Sequence, residues 1–231
     1  MGYHHLLPAQ RLACAVALAL SCMGAAQAAD LAVGRTVMQL PPGVEVLSVE
    51  LNPRDIPGDG HLVAKRRLVR VEQAGQPASH LVIASVHGRG DRFEWSGSCR
   101  TVKPSAKVFV YSPFHTVRDQ CVVVQGPYEL GGSLEVIDEK AAQAAASQQW
   151  TVGDEGYIVH AKHGLESGAL LSVTAFIPIP FAGLPVTGAL PPHSSDVPAP
   201  VIAWALALEE QVRTGVQSLS GKWQLPPIKQ Q

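Results

Sequence analysis

The chain has 231 residues, a formal charge of −1, 16% charged residues and 46% hydrophobic ones. That balance excludes a disordered chain, and it leaves no global positive field to draw in nucleic acid or anionic lipid. No internal repeat of fixed period is present, which excludes solenoids and arrays.

The first predicted element is a signal peptide. Arg11, with His4 and His5 before it, precedes an apolar run from Leu12 to Met23, and Ala26-Gln27-Ala28 offers small residues where a signal peptidase reads. The run is about a dozen residues, too short to cross a bilayer. Cys22 is a rival lipoprotein acceptor, although Ala19 stands where a large aliphatic residue is usual. Cleavage after Ala28 leaves 231 − 28 = 203 residues and, with Arg11 gone, a formal charge of −2. Residues 29–231 are expected to form a single exported domain without a transmembrane span.

Val33 to Leu40 reads as the first strand, closed by Pro41-Pro42-Gly43. Val44 to Leu51 follows, with Leu47, Val49 and Leu51 on one face, and Asn52 to His61 is a loop. Leu62 to Glu72 is a longer strand whose alternation slips at Lys65-Arg66-Arg67, the signature of a bulge. Ser79 to Val86 completes a hairpin with it, and Arg89-Gly90-Asp91 reads as a turn. Lys107 to Tyr111 and the run after Cys121 are strands, with Gly126 to Gly132 a loop. Asp138 to Trp150 has helical propensity and Asp138 in place to cap it.

Tyr157 to Lys162 and Ala169 to Ile177 are two further strands, the second placing Leu171, Val173, Ala175 and Ile177 on one face. The last element is a helix over about 199–220 with an apolar stripe from Val201 to Leu219, with Glu209, Glu210, Gln211 and Arg213 on the solvent side and Gly221 as its C-terminal cap. The resulting class is α+β: an antiparallel sheet of about seven or eight short strands, two helices (about 138–150 and 199–220) on one face, and one disulfide.

Cleavage after Ala28 removes Cys14 and Cys22, so Cys99 and Cys121 are expected to pair as a structural bridge. They lack the C-x-x-C spacing of redox pairs and the roughly four ligands of a structural zinc site. His160-Ala161-Lys162-His163 is an H-x-x-H, but on a strand those rings point to opposite faces, and both read as exposed at a loop edge. His80, His87 and His115 meet only if the fold assembles them. There is no G-x-S-x-G elbow, no G-x-x-x-x-G-K and no dinucleotide fingerprint, so no catalytic residue, metal or cofactor is named. Asp154, Glu155 and Glu166 read as solvated charge.

Two surface features stand out. Ser167 to Ser195 contains no Asp, Glu, Lys or Arg, and within it Phe176, Ile179, Phe181 and Leu184 form a proline-broken apolar stretch suited to partner contact. Lys65, Arg66, Arg67 and Arg70 form a basic run suited to an anionic partner. The expected function is an exported, periplasmic, non-catalytic binding or interaction protein of the bacterial envelope, with an envelope protein or a cell-wall or lipid component as partner. The alternative is a periplasmic hydrolase or metal-dependent enzyme using histidines brought together by the fold.

Overall fold

The computed structural model describes residues 30–56, 62–88, 90, 92–95, 98–113 and 119–229. The predicted signal peptide with Cys22, and Arg89, Asp91 and His115, lie outside the described residues.

A short hairpin of β1 (Leu31–Val33) and β2 (Thr36–Gln39) opens the chain, where one longer strand was expected. It turns at Gly34, whose φ of +62° suits glycine. Then come β3 (Val44–Ile56), β4 (Leu62–Gln73), β5 (Ser79–Val86), β6 (Val108–Tyr111), β7 (Asp119–Glu129), α1 (Glu139–Ser147), β8 (Glu155–Gly164), β9 (Leu170–Pro178), α2 (Ala199–Gln217) and β10 (Lys222–Gln224). The large sheet has seven strands in the order β3-β4-β5-β9-β8-β7-β6, every neighbouring pair antiparallel. It is two meanders joined where β5 meets β9. β2 pairs with β10 and β1 in a separate three-stranded sheet.

The α+β class and the disulfide are as expected, but the helices lie on opposite faces of the sheet. β4 explains why, because it is apolar on both sides: Val69 and Val71 join the core with α2, while Leu68 joins the core with α1. Beneath α2, Leu171, Val173, Ala175 and Ile177 of β9 are all 0% exposed, and Trp204, Ala205, Leu208 and Val212 of the helix pack in the same cluster. α1 starts at Asp138, whose Oδ1 accepts the Ala141 N–H at 3.0 Å. It lies mainly over the β3 and β4 end of the other face.

Five sequence expectations are corrected by local geometry. The bulge lies in β3, opposite the basic run, with the register shifting between Leu51 and Arg54. β3 therefore runs on to Ile56 through the expected loop, and Leu51, Arg54 and Ile56 face the same side as Ala64 and Arg66. Glu209 is buried instead of solvent-facing, its Oε1 3.3 Å from His163 Nδ1. Leu219 is fully exposed beyond the helix, which ends at Gln217 with Ser218 as its C-cap. Gly221 does not cap α2; a Cβ there would collide with the Arg35 carbonyl where β10 approaches β2.

Candidate functional site

The face of the sheet away from α2 is only partly covered, and a groove of about 390 Å³ lies over β4, β5, β9 and β8. Strand alternation builds its floor. Ala84, Thr174, Ser172, His160 and Lys162 point into it, and each is half-buried, while their strand neighbours Ile83, Val173, Val159 and Ala161 are fully buried beneath α2. The register sets them side by side: Ala84 opposite Ser172, Thr174 opposite His160, Ser172 opposite Lys162.

One wall comes from β3 and the start of α1. The bulge delivers Arg54 and Ile56, and Ile137 and Asp138 close the end. Arg66 pairs there with Asp138, with side-chain exposures of 6% and 12%. Burial alone would raise the Asp138 carboxyl pKa. The Arg66 hydrogen bond, the Ala141 N–H and the charges of Arg66 and Arg54 outweigh it and hold the pKa below the ordinary carboxylate value.

Trp95 forms the opposite wall. Its indole N–H donates to the Leu165 carbonyl at 2.9 Å, and its ring meets Phe93 edge-on at 4.5 Å between centroids. A Cβ on Gly164 would lie 2.8 Å from the indole ring, so glycine at that position lets Trp95 seat against β8. Lys162 is held by the Asp119 carboxylate and by the Trp95 ring 5.5 Å from its ammonium. The disulfide from Cys99 to Cys121 of β7 ties the segment that carries Trp95 to the sheet.

His160 lies mid-strand, not at a loop edge, and its Nδ1 is 2.8 Å from the Thr174 hydroxyl. Its pKa falls from 6.5 to about 4, first through burial and then through the Lys162 charge, with Asp119 opposing in part. The ring is therefore neutral at pH 7. His163, three residues on, faces α2 and pairs with Glu209, so the H-x-x-H divides between the two faces as alternation requires. His80 is 1% exposed, and its ring titrates at about 4 through burial and the charge of Arg70. Neither of its nitrogens has a hydrogen-bond partner among the described residues. His87 sits beyond the other end of β5 against Arg35. Among the described residues no group of three histidines converges; the one cluster of metal-ligating types joins Cys99, Cys121 and His160.

The two predicted contact surfaces take different forms. Phe176 and Phe181 are buried, Phe181 edge-on to Trp204 at 5.6 Å, and Ile179 and Leu184 pack partly buried against the same core. This stretch is core lining, and its lack of charge follows from that. The basic run is split by the strand. Arg66 is buried against Asp138, Arg70 pairs with Glu72 at 2.7 Å, and Lys65 and Arg67 point to the other side, where Arg67 donates to Ser48 at 3.3 Å. No single basic patch forms. Glu166 pairs with Arg92.

Sequence reasoning missed the groove because each floor strand contributes only two or three of its lining residues. Ser172 and Thr174 are indistinguishable from the solvent side of an ordinary amphipathic strand. Trp95 beside a glycine and serine break was the available signal. Comparison with known protein families, curated proteins and solved structures returned no match.

Proposed function

We propose that this is an exported, non-catalytic binding protein of the bacterial envelope, and that the groove is its binding site. The observation that carries the reading is a cavity over the middle of a sheet, floored by His160, Thr174, Ser172 and Lys162, where the opposite face of the same strands is wholly filled. Its size lies at the lower end of the roughly 300–1,000 Å³ typical of small-molecule sites, and a few convergent polar groups among apolar walls are the usual composition.

The charges favour a small monoanion. Among the described residues, Arg54, Arg66 and Lys162 are offset by Asp138 and Asp119, leaving an excess of one positive charge. Arg54 and the neutral His160–Thr174 pair would bind a carboxylate, and Trp95, Ile56 and Ile137 would cover an apolar portion. A component carrying such a carboxylate, from the cell wall or from lipid, meets both requirements. A hydrolytic role has less support, because a ring titrating at about 4 is a weak base near neutral pH.

Native mass spectrometry of the protein isolated from its own envelope fraction tests the reading. The expected spectrum shows a bound small molecule in the wild type that Ser172→Leu, which fills the floor, does not retain. A bare wild type that also shows no thermal shift with any small carboxylate, compared with Ser172→Leu, would reject it.

A further inference from the structure

We propose that reduction of the Cys99–Cys121 bond creates a site for a thiophilic d10 cation, zinc(II) being the representative probe, with Cys99, Cys121 and His160 as its protein ligands. The sequence offered two cysteines and no third ligand at a recognisable spacing. The fold supplies the third from the neighbouring strand: Val123 of β7 is paired with His160 of β8, two residues along β7 from Cys121. One ligand atom from each of the three residues lies within 4.8 Å of the others. A tetrahedral zinc site with Zn–S of about 2.3 Å and Zn–N of about 2.0–2.1 Å needs donor separations of about 3.3–3.8 Å. The Cα–Cα distance of 6.0 Å allows the sulfurs to part by side-chain rotation alone.

The surroundings suit the role. The hydroxyl of Thr174 holds the His160 ring at Nδ1, the orienting contact expected of a ligating histidine, and leaves Nε2 as the nitrogen to bind the cation. Cys99 and Cys121 are 4% and 0% exposed, so two bare thiolates would be costly there, whereas two thiolates on a divalent cation are neutral together. Three protein ligands leave a fourth position for water, and His160 lines the groove.

The chemistry balances. A dithiol reductant gives two electrons and two protons to the disulfide and becomes a cyclic disulfide; both protein sulfurs become thiols. Zinc(II) then displaces those two protons to solvent and binds the thiolates and the imidazole. Bond and metal exclude one another, so the site answers to the reducing power around it. The inference does not depend on what fills the groove.

The test uses the whole protein reduced with a phosphine, which takes oxygen from water and becomes its oxide as the thiols form. Zinc(II) is titrated in competition with a chromophoric chelator, and cobalt(II) substitution reads the geometry. The expected result is one zinc per reduced chain, none per oxidised chain, and a cobalt spectrum with thiolate charge-transfer and tetrahedral d–d bands. His160→Ala should weaken zinc by more than about 100-fold and Thr174→Val by about 10-fold, while His193→Ala, on an exposed histidine, changes nothing. Three results would overturn the proposal: no zinc on the reduced wild type, equal affinity in His160→Ala, or loss of the near-ultraviolet dichroism on reduction before metal is added.

Discussion

The two faces of the large sheet are made from the same strands yet have opposite characters. Along β9, Leu171, Val173, Ala175 and Ile177 go under α2 with no exposed area, while Ser172 and Thr174 line the groove half-buried. Along β8, His163 goes under the helix to pair with Glu209, and His160 goes to the groove to meet Thr174. One face is filled for stability. The other combines short side chains, fixed charges and open volume, which is how a site looks when stability is not its purpose.

The largest way to break this contrast is in the filled face. Trp204→Ala removes a fully buried indole from the α2 core and should cost about 3–5 kcal/mol in urea denaturation. Phe181→Ala should fall in the same range, whereas an exposed partner-contact loop would lose almost nothing.

Next comes the end of the groove. Asp138→Ala removes the cap of α1 and leaves Arg66 buried without its carboxylate. Together these should cost about 3 kcal/mol or slightly more, and Asp138→Asn should recover the capping share of about 1 kcal/mol.

The buried histidines then set a pH dependence. His80 titrates at about 4 when folded, against 6.5 for an ordinary histidine. As pH falls, the unfolded chain takes up that proton first. Stability from this group is therefore intact above about pH 6.5 and declines between there and pH 4, by about 3 kcal/mol in all. His160 acts in the same direction. His80→Leu should flatten the profile in that window; an unchanged slope in denaturation midpoints between pH 7 and pH 4 would show that His80 does not set it.

Much of this fold was legible in the residues. The burial of β9 followed from its alternation, α1 from an alanine-rich run behind Asp138, and the Cys99–Cys121 bridge from the two cysteines left beyond the predicted signal peptide. What could not be read was pairing across the sheet. The bulge belongs to β3 because two of its residues oppose a single one on β4, and only the partner strand reveals which side carries the excess. Glu209 looked solvent-facing because its buried partner, His163, is 46 residues away. The groove has the same origin: four strands, each ordinary alone, whose groove-facing residues fall in register.

The smallest expected effect is also the most direct test. Ser172→Leu places a large apolar side chain at the centre of the groove floor. If the groove is open, urea denaturation should find the variant as stable as the wild type or more so, because the added side chain covers apolar wall at no packing cost. A loss of about 1–3 kcal/mol, the usual penalty for overfilling a packed interior, would contradict the distinction between the two faces.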